Sequence, residues 1–170
     1  HPTLGYNFRI SELHAAVGLG QLARFDDILD RQKVHYETLA QAIVDLPGVS
    51  FRRIPEGGVQ NYSFLNIFLP TAEKAEQAQK ALSKAGIDAC FYWFKNNWHY
   101  INGWAHLTQA KSIAPLIPEM KAQLMGLQSR DFSQSDHYMG RTLSFLVKLG
   151  WDENTLNQRA QIMRDTLMNL

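Results

Sequence analysis

Residues 5 to 22 read Gly-Tyr-Asn-Phe-Arg-Ile-Ser-Glu-Leu-His-Ala-Ala-Val-Gly-Leu-Gly-Gln-Leu, and this stretch says more about the fold than any other. Asn7 and Arg9 alternate in an extended segment, so their side chains leave the backbone on one side. They place an amide donor beside a forked cation that suits bidentate contact with an oxyanion. Ser11 is the predicted N-cap of a helix, and Glu12 in its first turn favours the helix dipole. The stretch therefore predicts an oxyanion contact directly before a helix.

The helix that begins at Ser11 is predicted to be long and amphipathic. No proline occurs before about Asp45, and apolar residues follow spacings of three, four and seven: Leu22, Phe25, Leu29, Tyr36, Leu39 and Ile43. Its first turns carry small residues, which leave room for another backbone: Ala15, Ala16, Gly18 and Gly20. At about 1.5 Å per residue it would extend roughly 50 Å. A small domain does not need that length, so we expect half of the helix to pack against another body.

Beyond this helix the pattern predicts an antiparallel sheet with flanking helices. Strands are predicted over residues 49–53, 62–69, 87–94 and 141–149, the first two as neighbours around the turn at 55–58, and both faces of the second strand are expected to be largely covered. Helices are predicted to begin after Thr71 and Asp152. This order is an α+β plan. We expect residues 1–45 to form a connecting loop and a long interface helix, and residues 46–170 to form a small α+β domain.

Composition excludes several classes of function. The formal net charge is +1, and no lysine-arginine run could neutralise a row of phosphates, so nucleic-acid binding is not supported. No apolar stretch approaches the roughly 20 residues needed to cross a bilayer. The single cysteine, Cys90, excludes an internal disulfide. It is predicted to pack as a small hydrophobe on a strand rather than to act as a nucleophile, because no helix start or basic neighbour would activate it.

An aromatic and polar segment from Trp93 to His106 is a second candidate site. Its indole, amide and imidazole groups suit a polyhydroxylated ligand, but the same aromatics could simply close the sheet. A metal site could be built from His99 and His106 with Cys90 or His137. The spacing of seven residues between the first two is not that of a zinc motif, so no metal is expected.

The stretch 5–22 resembles the signature of the DegT/StrS sugar aminotransferases, in which glycine, an aromatic, Asn, an aromatic and Arg precede Met/Ile, Ser/Thr, Glu and an Ala-Ala helix start. These enzymes use pyridoxal phosphate. The resemblance implies the small C-terminal domain of a fold-type I enzyme, a cytoplasmic homodimer with shared active sites, in which Asn7 and Arg9 reach the cofactor phosphate of the neighbouring subunit. A turn cap at Asn7 and a solvated charge at Arg9 are the alternative.

The resemblance also implies substrate contacts. After the third strand the family commonly shows Tyr-Pro-x-Pro-x-His-x-Gln, and His99 falls where that His would lie. Both prolines and the Gln are missing, and Asn96-Asn97-Trp98 replace them. This resembles the branch that aminates an octulosonate sugar acid for lipopolysaccharide. The expected substrate contacts are Asn97, Trp98, His99 and Lys95, and Lys95 or Arg141 would meet the carboxylate of the sugar acid.

The chain lacks a lysine in the context that the family uses for its Schiff base. Because the signature lies past the midpoint of family members, the resemblance implies the C-terminal part of a longer enzyme, with that lysine upstream and no catalytic residue here. The expected reaction transfers an amino group from an amino acid, glutamate, to a keto sugar. Two alternatives remain open: a non-catalytic pyridoxal-phosphate-binding regulator of the same fold, and a helical dimerisation module.

Overall fold

A computed structural model describes residues 9–96 and 99–170 of the chain. The elements in order are α1 (Glu12–Leu22), α2 (Phe25–Ile43), β1 (Ser50–Phe51), β2 (Phe64–Phe68), α3 (Ala72–Lys84), β3 (Cys90–Phe91), α4 (Ala105–Thr108), α5 (Pro118–Met125), α6 (Ser133–Gly140), β4 (Thr142–Leu146) and α7 (Glu153–Met168). Short 3₁₀ turns cover Trp93–Lys95, Ile101–Gly103 and Gly126–Ser129.

Within the described residues the four strands form one antiparallel sheet in the order β1-β2-β4-β3. The predicted α+β class and the antiparallel pairing of the first two strands are confirmed. Alternate residues of β2, such as Leu65 and Ile67, are fully buried because α2 and α3 lie on that side. We expected both faces of β2 to be largely covered, and the face that carries Leu65 and Ile67 is. The side chains on the opposite face of β2 are only half-buried in the described chain.

The predicted single helix from Ser11 to Asp45 is divided into α1 and α2. Arg24 between them has φ −112° and ψ 9°, which lies outside the helical region, and its side chain makes no cap bond. Ser11 is the N-cap of α1 as predicted, because its side chain accepts a hydrogen bond from the backbone N–H of His14 at 3.3 Å. No residue of α1 is buried in the described chain.

Helix α2 packs along α7 and closes the core over the sheet. Leu39 and Ile43 of α2 are buried together with four residues of α7: Leu156, Ala160, Met163 and Leu167. Hydrogen bonds join α2 to the segment after β4. Gln32 Nε2 donates to the carbonyl of Val147 at 3.1 Å, and a ring nitrogen of His35 lies 2.9 Å from the carbonyl oxygen of Lys148. At the other end Arg164 donates to both carboxylate oxygens of Asp45, at 2.6 and 2.9 Å.

Two predicted helix starts are confirmed, whereas the third strand is shorter than predicted. Thr71 and Asp152 each accept a hydrogen bond from a backbone N–H of the following turn. Strand β3 contains two residues instead of eight, because Ala89 before it has a φ of +53° and the chain turns into a 3₁₀ helix at Trp93. None of the helices in the described ranges is long and apolar enough to cross a membrane.

Candidate functional site

A concave site of about 430 Å³ lies on the sheet face opposite the buried Leu65 and Ile67. Strand alternation supplies its floor, and the segment after β3 supplies one wall. The lining residues combine one guanidinium, two amides, two hydroxyls, one imidazole and two apolar rings: Arg52, Asn61, Ser63, Phe64, Asn66, Trp93, His99 and Ser144. A cavity of this size and mixed lining is typical of small-molecule sites, which usually measure about 300 to 1,000 Å³.

Four side chains follow one another across the sheet, and three of them, Arg52, Asn66 and Ser144, line this site. Asn66 of β2 is the register partner of Ser144 of β4, and Ser144 is the register partner of Phe91 of β3. Arg52 follows directly after β1, where Phe51 pairs with Ile67. The order across the strands is therefore cation, amide, hydroxyl and aromatic ring. Directly opposed residues on one face have Cβ atoms about 5 Å apart, so one small ligand can touch several of them.

The amides of the site are held in fixed directions. Ser144 is only 2% exposed, and its hydroxyl donates to Oδ1 of Asn66 at 2.6 Å. Oδ1 of Asn61 accepts from both the backbone N–H and the hydroxyl of Ser63, at 3.1 and 2.8 Å. Tyr62 between them has a φ of +58°, a strained value for a bulky residue. In each amide the oxygen is engaged by the protein, and the NH₂ group has no acceptor among the described residues.

An aromatic cluster forms the wall of the site. The ring of Trp93 stacks on Phe91 with centroids 4.6 Å apart and an interplanar angle of 12°, and its edge meets Phe64 at 6.4 Å. The exposed ring of His99 stands at 84° to Trp93 with centroids 4.5 Å apart. This contact fixes where the imidazole lies, so His99 presents its nitrogens beside an apolar ring.

The structure places the predicted site residues in different regions. His99 lines the concave site, whereas Lys95 lies elsewhere and donates to Oε2 of Glu76 at 2.6 Å. Glu76 also meets Lys80 at 2.9 Å, and these hydrogen bonds, that from Lys95 first, lower the pKa of Glu76 to about 2. Three further predicted residues lie outside the described ranges: Asn7, Asn97 and Trp98.

Two arginines that were predicted from the sequence as ligand contacts, Arg9 and Arg141, do not line the concave site. Arg9 is exposed and stands two residues before Ser11, the N-cap of α1. Arg141 directly follows α6, and its Nε atom is buried without a hydrogen-bond partner in the described chain. Arg141 is not among the residues that line the cavity. The cation that does line it is Arg52.

Cys90 belongs to the core of the sheet. It is buried on β3, and burial raises the pKa of its thiol to about 12, so the thiol stays protonated near neutral pH. The prediction of a packing role is in accord with this position. In the part of the chain that the structure describes, no three His, Cys, Asp or Glu side chains are grouped as metal ligands.

Sequence reasoning missed five polar members of the site: Arg52, Asn61, Ser63, Asn66 and Ser144. A signal for two of them is visible, because Asn66 and Ser144 each interrupt an otherwise apolar strand. A polar residue at such a position must be hydrogen-bonded, and two of them imply a pair. The register that makes them neighbours depends on β4, whose pairing partner cannot be read from local pattern.

Comparisons with known proteins agree on one family. The sequence pattern of the DegT/DnrJ/EryC1/StrS aminotransferase family matches residues 1–141. GDP-perosamine synthase of Escherichia coli O157:H7 is 29% identical over 88 residues, and the aminotransferase EpsN of Bacillus subtilis (strain 168), described as pyridoxal phosphate-dependent, is 26% identical over 93 residues. These alignments cover 52% and 55% of this chain and 24% of each relative, so the chain spans about a quarter of the length of these curated relatives.

Solved structures show the same fold at low sequence identity. An aminotransferase from Psychrobacter cryohalolentis gives a TM-score of 0.65 at 19% identity, covering 99% of this chain and 42% of its own. DesI, solved in the presence of its TDP-sugar product, gives 0.61 at 20% identity, covering 96% of this chain and 37% of its own. The family match extends over most of the chain and includes Arg9 and His99. The chain belongs to the DegT/DnrJ/EryC1/StrS aminotransferase family.

Proposed function

We propose that the intact protein is a pyridoxal-phosphate-dependent aminotransferase that moves an amino group from an amino acid, glutamate, to a keto sugar. The observation that supports this best is the family match over residues 1–141, which takes in both the predicted phosphate segment and most of the sheet site. Members of this family depend on pyridoxal phosphate. The name of one relative, GDP-perosamine synthase, refers to a sugar carried on GDP, and the structural neighbour DesI was solved with its TDP-sugar product.

The donor set before α1 fits a cofactor phosphate. Arg9 is an exposed guanidinium, and Ser11 starts a helix whose first N–H groups and dipole favour a negative charge. We assign the phosphate to Asn7 and Arg9, acting on the cofactor of the neighbouring subunit of a homodimer. Pyridoxal phosphate, when bound, supplies the electron sink for breaking a bond at the carbon that carries nitrogen.

The residues of the sheet site would bind and orient the sugar. His99 and the NH₂ groups of Asn61 and Asn66 offer hydrogen bonds to hydroxyls, and the ring of Trp93 offers an apolar surface. Asn97 and Trp98, which adjoin His99 in sequence, are proposed as further contacts. Lys95 stays a predicted contact, and its amine would first have to leave Glu76.

The lysine of the reaction is proposed to lie outside these 170 residues. The eight lysines here are surface residues, and four of them are engaged with carboxylate side chains: Lys33, Lys80, Lys95 and Lys148. None of the eight lines the sheet site. The described chain would therefore bind and orient, while proton movement at the substrate carbon would fall to the upstream lysine.

The homodimer is supported by helix α1. Its apolar side chains are exposed in the described chain, among them Leu13, Val17, Leu19 and Leu22. Several exposed large apolar residues on one helix are typical of a surface that another body covers. We propose that this body belongs to the assembled cytoplasmic enzyme, which brings Arg9 of one subunit to the cofactor of the other.

The test uses the full-length protein supplied with pyridoxal phosphate, glutamate and a panel of keto sugars. We expect release of 2-oxoglutarate and formation of an amino sugar, followed by mass spectrometry. Residues 1–170 alone, as a control, should give neither product and no borohydride-fixed lysine adduct. Cofactor binding without turnover on any keto sugar would indicate a regulator of the same fold. Absence of cofactor binding would favour the remaining alternative, in which the chain is a helical dimerisation module.

A further inference from the structure

We infer that the row formed by Arg52, Asn66 and Ser144 is a carboxylate-recognition site, so that the concave face of the sheet takes a carboxylated sugar with Arg52 on its anionic group. This inference rests on the proposed function for the identity of the ligand as a sugar. The site itself is carried by the geometry of the cavity, in which Asn66 and Ser144 are register partners and Arg52, directly after β1, lines the same space.

Arg52 differs from three other arginines of the described chain, each of which lies close to an acidic side chain. Arg31, Arg159 and Arg164 each lie within 4 Å of a carboxylate, namely those of Asp27, Asp88 and Asp45. Arg52 has no such partner in the described ranges, and it lines the cavity. No Asp or Glu is found among the lining residues that the structure describes. The cavity is therefore electropositive at the end where Arg52 stands, and a guanidinium binds a carboxylate through two parallel hydrogen bonds.

The number of cations favours a single carboxylate over a diphosphate. Arg52 is the one Lys or Arg among the described lining residues, because Lys95 is held by Glu76 and Arg141 lies elsewhere. A diphosphate carries more charge, and proteins usually meet it with several cations or with a helix N-terminus. The neutral donors around Arg52 instead suit hydroxyl groups, which need hydrogen bonds but no countercharge.

Asn66 is a donor that lines the same cavity as this cation. The buried hydroxyl of Ser144 donates to its Oδ1 at 2.6 Å, which leaves the NH₂ group as the part of the amide that can meet a ligand. A donor whose direction is fixed before binding loses little conformational freedom when the ligand arrives. Asn66 and Arg52 together would therefore bind the carboxylate and an adjacent hydroxyl of the same molecule.

A carboxylate could reach this site from two sources. It could belong to the sugar, or to the amino-acid donor that occupies the same active site in the other half of the reaction. The shared chemistry is a carboxylate on Arg52. A matched set of probes separates the sources: D-glucuronate, its neutral analogue D-glucuronamide, and glutarate as an unreactive analogue of glutamate.

The experiment measures binding of these three probes to the full-length protein by saturation-transfer NMR, without turnover. We expect D-glucuronate to bind at least fivefold more tightly than D-glucuronamide, and Arg52→Gln to abolish this preference. Arg53→Gln is the matched control, because Arg53 is the adjacent exposed arginine and does not line the cavity. Arg52→Lys, which keeps the charge but loses the bidentate geometry, should retain part of the preference.

Each outcome decides the inference. Loss of glucuronate preference in Arg52→Gln alone supports a sugar acid, whereas an Arg52-dependent preference for glutarate assigns the carboxylate to the donor and overturns the sugar assignment. Equal binding of acid and amide, or equal effects of the Arg52 and Arg53 variants, overturns the site. Because binding is read without catalysis, a protein that binds D-glucuronate through Arg52 but fails to transaminate would refute the proposed function and leave this inference standing.

Discussion

A single buried hydroxyl sets the direction in which one amide group of the candidate site points. Ser144 occupies a strand position where its neighbours Leu143 and Phe145 are buried in the core, and leaving a hydroxyl unpaired there would cost free energy. It is paired with Oδ1 of Asn66 on the neighbouring strand. The same bond that satisfies the hydroxyl turns the amide NH₂ toward the cavity. At this scale, stability and binding geometry depend on one contact.

On the proposed function, Arg9 is expected to retain the cofactor in the full-length protein. A hydrogen bond to a charged group contributes roughly 1.5 to 3 kcal/mol, so Arg9→Ala should raise the dissociation constant of pyridoxal phosphate about tenfold or more. The measurement is release of the cofactor on dilution, followed by its absorbance. Arg24→Ala is the control, since Arg24 is an exposed arginine between α1 and α2. Unchanged retention in Arg9→Ala would mean that Arg9 is an ordinary surface charge.

Asp88 is expected to make stability depend on pH. The hydrogen bond from Lys148, with Arg159 nearby, holds the pKa of Asp88 below its ordinary value of 3.8. A carboxylate with a lowered folded-state pKa stabilises the fold above its unfolded-state pKa, and this contribution is lost as pH falls through the folded-state pKa. The difference in free energy of unfolding between the parent chain and Asp88→Asn should therefore be larger near pH 5 than near pH 3.

Urea unfolding at the two pH values measures this difference. Asp30→Asn is the control, because Asp30 is exposed on α2 and has no ion pair in the described chain. If the parent and Asp88→Asn differ by the same amount at both pH values, the ion pairs of Asp88 do not contribute to folding.

At the scale of elements, the two halves of the predicted long helix differ in how much they bury. Helix α2 buries Leu39 and Ile43 against α7 and the sheet, whereas α1 buries nothing in the described chain. The apolar periodicity continues across Arg24, so the pattern in the sequence is that of one helix although the backbone is broken there. Gly18 and Gly20 in α1 have no neighbouring atom within 4 Å of an added Cβ, so their predicted role in close packing stays a prediction.

A pair of identical substitutions compares a buried position of α3 with an exposed position of α1. Leu82 of α3 is 0% exposed and Leu13 of α1 is 75% exposed. Leu82→Ala should destabilise the chain by about 2 to 5 kcal/mol, because it removes buried methyl groups and leaves a cavity. Leu13→Ala should change the free energy of unfolding by less than about 0.5 kcal/mol. Urea unfolding of both variants provides the measurement, and an equal loss in the two would show that α1 is packed in solution.

Local pattern predicted the elements better than the site. Thr71 and Asp152 were identifiable as caps because a short polar side chain before an apolar helix acts through its own first turn. The start of the third strand could not be identified in this way, since the positive φ of Ala89 leaves no mark in residue type. Asn66 and Ser144 are 78 residues apart, and only the β2-β4 register joins them. His99 was found through a family signature rather than through any periodicity.

For the whole molecule, the sheet joins the functional parts of the chain. Strand β4, near the C-terminal end, lies between β2 and β3 and so brings Ser144 to Asn66 and to the ring of Phe91. The segment with Trp93 and His99 then forms a wall over this floor. A binding face built from β2, β4 and the segments that follow β1 and β3 needs the complete sheet, and α2 and α3, which pack on α7, hold that sheet from the other side.

The charge of this face leads to a prediction about the substrate of the full-length enzyme. One relative, GDP-perosamine synthase, has a name that refers to a nucleotide-linked sugar, but the described lining of the cavity presents one guanidinium among neutral donors. We expect a keto sugar acid to be preferred over a nucleotide-diphosphate keto sugar, because Arg52 can neutralise one carboxylate and no second Lys or Arg lines the described part of the cavity. The two substrate classes are compared by kcat/KM with glutamate as the donor. A tenfold advantage of the sugar acid corresponds to about 1.4 kcal/mol of transition-state stabilisation. A tenfold advantage of the nucleotide sugar would instead place the diphosphate on cations supplied by the rest of the assembled enzyme, and would assign the protein to ordinary nucleotide-sugar amination.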